Sequence, residues 1–146
     1  MSVGPVEMVL LVEDNPSDAE LTLRALREID AGTEVLVLTD GAEALDYLFG
    51  TGAYSDRAAR PPKLVLLDLK LPKVDGFEVL DRVKGTQETQ STPVVVLTSS
   101  EHERDVSRSY DLGCNSYVVK PVTFESFAST LAAVGRYWLR VNRLPA

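Results

Sequence analysis

The chain has 146 residues, 45% of them hydrophobic and 25% charged, with 15 Lys and Arg against 22 Asp and Glu, a formal net charge of −7. At about 150 residues per domain this predicts one domain around one core, and the ordinary globular composition excludes disorder, collagen and disulfide scaffolds. The acidic balance excludes non-specific nucleic-acid binding, which needs clustered Lys and Arg.

The first apolar run, 8–12 (MVLLV), predicts a strand. Asn15 and Pro16 then open a helix over 16–29, Asn15 as N-cap and Pro16 at the first position, where no backbone donor is wasted. Residues 34–38 predict a second strand and 41–49 a short helix. The stretch 50–63 (GTGAYSDRAARPPK) is the one long connection, rich in turn formers, and reads more readily as a mobile spacer than as a binding loop. A third strand is expected over 64–67, a helix over 76–84 and a fourth strand over 94–97. The next helix, 101–112, is polar, with Val106, Tyr110 and Leu112 as its obvious anchors, and Gly113 stops it. Residues 117–119 predict a fifth strand, and 124–142 the longest helix, with Thr123 as N-cap. Residues 1–7 form a short tail without the basic and apolar regions of a signal peptide. The apolar runs fall far short of the ~20 residues that span a bilayer. Cys114 is alone, so it forms no internal disulfide. A soluble, cytoplasmic, single-domain protein spanning 1–146 is expected, with no membrane and no nucleic-acid partner.

This strand–helix alternation predicts an α/β fold: a doubly wound, five-stranded parallel sheet with helices on both faces. Three of the strands are continuous apolar runs, as expected of strands buried on both sides. The strand ends carry the informative residues. Glu13 and Asp14 follow the first strand, Asp68 the third, Thr98 the fourth and Lys120 the fifth. In such sheets ligands bind beyond the carboxyl ends of the strands, where strand order reverses. An order 2-1-3-4-5 would bring Glu13, Asp14 and Asp68 together. Two charges ~4 Å apart repel by ~4 kcal/mol at an effective dielectric of ~20, so the trio needs raised pKa values or a cation. All-oxygen ligands with room for water suit Mg²⁺. With Lys120 as a second positive charge and Thr98 as a hydroxyl donor, the set is equipped for phosphoryl transfer onto an Asp carboxylate.

The motifs LLVEDNPSD, LVLLDLKLPKVDG, VVVLTSS and DLGCNSYVVKP, over nearly all of 8–142, resemble the receiver domains of two-component response regulators, which share the flavodoxin-like 2-1-3-4-5 order. VEDNPSDAELTLRAL, the insertion before LVLLDLKLP and the terminal YWLRVNRLP resemble the stand-alone receivers of phytochrome-type sensor kinases. The resemblance implies that Asp68 accepts a phosphoryl group from a sensor histidine kinase such as a bacteriophytochrome. It implies Mg²⁺ ligation by Asp14, Asp68 and the backbone carbonyl of Lys70, with Glu13 placing a water. Thr98 would bind a phosphoryl oxygen and Lys120 would pair with the aspartyl-phosphate. Tyr117 stands at the position of the family's switch aromatic, and would respond to Thr98 and bias the fourth helix, fifth strand and fifth helix.

Phe124, Phe127, Leu131, Val134, Trp138 and Val141 are spaced 3, 4, 3, 4, 3, an apolar seam on the last helix. A homodimer through the fourth-strand and fifth-helix face is expected, with Phe127, Leu131, Trp138 and Val141 in the interface. The alternative activity, an aspartate-nucleophile phosphohydrolase, wants a second Asp two residues after the nucleophile, where this chain has Lys70. A dinucleotide or flavin module wants a glycine-rich phosphate loop, and EDNPSD is acidic and glycine-free. The expected output is protein–protein.

Overall fold

The computed structural model describes residues 8–55 and 61–144; the expected tail 1–7 and part of the 50–63 connection lie outside these. Its strands are β1 (Met8–Val12), β2 (Glu34–Leu38), β3 (Leu64–Leu67), β4 (Val94–Thr98) and β5 (Ser116–Val119). They form one parallel sheet in the order β2-β1-β3-β4-β5. The helices are α1 (Pro16–Ile29), α2 (Gly41–Phe49), α3 (Gly76–Lys84), α4 (Glu103–Asp111) and α5 (Phe124–Arg136).

The side-chain alternation of the central strands sorts the core into two layers. Leu10, Val12, Val65, Leu67, Val94 and Val96 point to one face, where α2 and α3 cover them with Ala44, Leu45, Val79, Leu80 and Val83. Val9, Leu11, Leu64, Leu66, Val95 and Leu97 point to the other, under α1 and α5. Each such buried side chain stabilises the fold by ~1.5–3 kcal/mol. Caps start the helices: Asn15 and Thr123 accept from the N–H of Asp18 and Ser126, as expected, and Asp40 and Asp75 do the same for α2 and α3.

Two glycines fix the loops beside the sheet's carboxyl edge by close approach. A Cβ on Gly41 would lie 1.8 Å from the Val74 carbonyl oxygen, and one on Gly76 would lie 2.2 Å from that of Asp68. The β3–α3 loop is therefore clamped from both sides.

The chain departs from its expected course in three places. The connection after α2 is not wholly a free spacer: Gly52–Tyr54 forms a 3₁₀ turn, and the Tyr54 ring packs edge-on against Tyr47 at 5.2 Å. Helix α4 is held otherwise than expected. Leu112 packs on the core and Val106 is half-buried, but Tyr110 is 49% exposed, and the buried side chain of the helix is Ser109. The last helix does not run regularly to 142. After Arg136 it widens into a π-helical turn, Tyr137–Val141, closed by the Asn142 N–H on the Tyr137 carbonyl. The wider turn rotates the seam, so Leu139 enters the core at 3% exposure while Val141 is 66% exposed and Trp138 lies half-buried at the core's edge. Phe127 and Leu131 are buried against Ala25 and Leu97 within the same chain. This corrects the expected dimer seam: those two side chains belong to the core and offer no surface to a second copy.

Candidate phosphoacceptor and metal site

The geometry begins with backbone register. β1 and β3 are neighbours with Val12 opposite Leu67, so the residues that follow each strand emerge side by side. The Asp68 N–H donates to the Val12 carbonyl at 3.1 Å, and the Lys120 N–H donates to the Thr98 carbonyl at 2.7 Å. Glu13, Asp14, Asp68, Thr98 and Lys120 thus lie along one edge of the sheet. One carboxylate oxygen from each of Glu13, Asp14 and Asp68 falls within 4.8 Å of the others.

Lys120 crosses the site from β5. Its ammonium donates to Glu13 Oε1 at 2.6 Å, Asp18 Oδ2 at 3.0 Å and Asp68 Oδ2 at 3.1 Å. Glu13 and Asp68 are buried, and Asp14 is exposed. The second Asp68 oxygen accepts from the Lys70 N–H at 3.3 Å, and the Lys70 side chain itself points into solvent. The second Glu13 oxygen accepts from the Asn15 N–H at 3.2 Å.

Burial is the main force on Glu13, raising its pKa to about 7; the Lys120 bond opposes this and the Asp68 charge adds to it. Burial also disfavours charge on Lys120. The bond to Glu13, the charge of Asp68 and the bond to Asp18 outweigh it and hold the ammonium above its ordinary pKa. The lysine therefore stays protonated at any working pH. It brings one positive charge to four carboxylates, so the deficit is of the kind a divalent ion fills. Three convergent carboxylate oxygens, one set facing solvent, fit an oxygen-loving ion such as Mg²⁺ or Mn²⁺.

Thr98 ends β4 fully buried, its hydroxyl accepting from the Ser100 N–H at 3.4 Å. The half-buried Tyr117 donates its hydroxyl to the Ser100 carbonyl at 2.8 Å. The Ser100 hydroxyl donates to Asp105 of α4 at 2.5 Å and accepts from the His102 N–H at 3.4 Å. Sequence reasoning named Thr98 and Tyr117 but missed that Ser100 joins them to α4. It also missed Asp18, which reads from sequence only as an acid in the first turn of a helix.

A doubly wound sheet thus gathers an acidic trio, a lysine and a threonine at its carboxyl edge. The chain belongs to the response regulator receiver domain family, whose pattern matches residues 9–132. It is 37% identical over 143 residues to response regulator Rcp1 of Synechocystis sp., covering 98% of this chain and 96% of Rcp1. The Mn²⁺-bound form of Rcp1 matches with a TM-score of 0.90 over 96% of this chain and 99% of that one. The phosphorylated cyanobacterial phytochrome response regulator RcpA matches with a TM-score of 0.91 at 37% identity, over 97% and 100% of the two chains. The bacteriophytochrome response regulator AtBRR is 55% identical, with a TM-score of 0.72 over 89% and 94%. Receiver-domain response regulators are signalling proteins. Among the described residues no helix is long and apolar enough to cross a membrane.

Proposed function

We propose that this protein is a single-domain response regulator that accepts a phosphoryl group on Asp68 from a phytochrome-type sensor histidine kinase. The observation that carries this reading is the convergence on one carboxylate: Asp68 shares a 4.8 Å cluster with Glu13 and Asp14 while Lys120 reaches it at 3.1 Å. Asp14, Asp68 and the Lys70 carbonyl are the residues that would hold Mg²⁺, with Glu13 orienting one of its waters. Bound there, the ion would neutralise charge on the transferring phosphoryl group. Lys120 pairs with the product, and Thr98 gives its hydroxyl to a phosphoryl oxygen.

The phosphoryl group carries roughly −1.5 to −2 charge in place of the carboxylate's single one, beside the ends of β4 and β5. If Thr98 turns toward it, the Ser100 N–H loses its acceptor. Ser100 in turn holds Tyr117 and α4, so the change would reach the α4 and β5 parts of the α4–β5–α5 face through hydrogen bonds already in place. Moving such an element from 1:99 to 99:1 takes ~5.5 kcal/mol of differential stabilisation. One charge-assisted bond supplies roughly 1.5–3, so Lys120, Thr98 and the ion act jointly. For self-association, the exposed Val141 and the outer edge of Trp138 replace Phe127 and Leu131 as the contact. Val141→Glu should then convert dimer to monomer on a sizing column, and an unchanged elution volume would remove the proposal.

The acceptor role is tested by incubating the protein with Mg²⁺ and acetyl phosphate and weighing it intact. An adduct of about +80 Da is expected, and Asp68→Asn should abolish it. An adduct that persists in that variant would overturn the reading.

A further inference from the structure

We propose that Asp18 is a positioning residue for phosphoryl transfer, holding the Lys120 ammonium in place when the metal ion and the phosphoryl group claim its other partners. This rests on the reading of Asp68 as the acceptor. An ammonium has three N–H donors and no more, and here all three are spent on carboxylates: Glu13, Asp18 and Asp68. Two of those three, Glu13 and Asp68, also belong to the cluster that would hold the ion; Asp18 does not. With the ion and the phosphoryl group on Asp68 and one of the ion's waters on Glu13, two of the lysine's three partners would carry a second claim, and Asp18 would carry none.

Asp18 is built to serve as that fixed point. It sits in the first turn of α1, its N–H bonded to the capping Asn15 side chain at 3.1 Å. Its carbonyl accepts from the hydroxyl of the fully buried Thr22 at 2.8 Å. Its side chain is 28% exposed against 2% and 10% for Glu13 and Asp68, which places it at the rim. The lysine stem has four rotatable carbons and much rotamer entropy to lose, so an ammonium tethered at one point only is poorly aimed. During transfer an Asp68 oxygen forms its bond to phosphorus as the donor's bond to phosphorus breaks. Lys120 keeps its three protons throughout. It turns one N–H from Asp68 Oδ2 to a phosphoryl oxygen while another stays on Asp18.

The test compares wild type with Asp18→Ala and the milder Asp18→Asn in the full chain. Labelling by acetyl phosphate is followed across donor and Mg²⁺ concentrations, and the Lys120 ε-ammonium is observed by ¹H–¹⁵N NMR in the Mg²⁺-loaded protein. The maximal labelling rate should fall about tenfold in Asp18→Ala, the worth of one charge-assisted bond, and by a smaller factor in Asp18→Asn. The half-saturating donor concentration and the Mg²⁺ midpoint should stay within about twofold, since Asp18 is not a ligand. The ammonium signal should vanish in Asp18→Ala. A rate within twofold of wild type, or a Mg²⁺ affinity that falls in step with the rate, would overturn the proposal. If wild type takes no label, the acceptor reading fails separately, and the ammonium signal decides alone: loss in Asp18→Ala supports the positioning role, and persistence refutes it.

Discussion

The centre of the sheet and its β5 flank are held by different forces. At its centre, β1 and β3 are sealed on both sides by aliphatic side chains, with Leu10, Leu64, Leu66 and Leu67 wholly buried. At the β4–β5 flank, α4 buries one serine, stacks Arg108 over Phe77 at 4.1 Å, and is tied to the sheet through Ser100. Packing is non-directional and hard to shift, whereas a hydrogen-bonded joint answers to a nearby change of charge. The acid cluster stands at the rigid centre, and the joint that would respond to it stands at the soft edge. A fixed site thus adjoins an element whose position is set by a few polar bonds.

The contrast can be broken by substitution. The largest effect is expected at the centre: Leu66→Ala should cost about 2–5 kcal/mol in urea unfolding, whereas Tyr110→Ala on α4 should stay within about 0.5. Equal losses would erase the difference between centre and flank. Gly41→Ala should cost about 1–3 kcal/mol, because its Cβ meets the Val74 carbonyl and the loop beside Asp68 must shift. Ser100→Ala removes the bonds to Asp105 and His102 and keeps the backbone ones. It should loosen α4 by roughly 0.5–1.5 kcal/mol, seen as faster amide exchange there and unchanged exchange in β1 and β3. Uniformly faster exchange would mean that α4 is not a separate unit.

The smallest effect concerns pH. Glu13 has its folded pKa raised from 4.5 to about 7, so the folded state holds that proton more tightly than the unfolded chain. Its contribution to stability is greatest below pH 4.5 and declines as pH rises to 7. Without divalent ion the melting temperature should drift down over that window. Mg²⁺ binds the ionised carboxylates, so it should raise the melting temperature more at pH 8 than at pH 5.5. A larger Mg²⁺ effect at the lower pH would contradict the role given to Glu13.

The doubly covered parallel sheet was readable because the runs MVLLV and LVLL have no polar face and alternate with helical stretches, while the order 2-1-3-4-5 came from the resemblance to receiver domains. The acceptor cluster was readable because polar residues stop those runs at one edge. What escaped depended on turns and on contacts distant in the chain. A stripe drawn at regular helical spacing takes no account of a π turn, so Leu139, which lies outside the stripe, escaped notice as the residue that enters the core. Tyr110 looked like an anchor by its size, yet Ser109 faces inward and bonds the Asp105 carbonyl of its own helix. Asp18 and Lys120 are 102 residues apart, and nothing local marks them as partners.

The most direct measurement locates the charge. Protein labelled by a phosphodonor in Mg²⁺ is reduced with borohydride, which converts an aspartyl-phosphate to homoserine, and its peptides are mapped by mass. Homoserine at residue 68 alone is the predicted result. Homoserine at Asp14, Asp18 or another carboxylate, or none anywhere, would contradict the account.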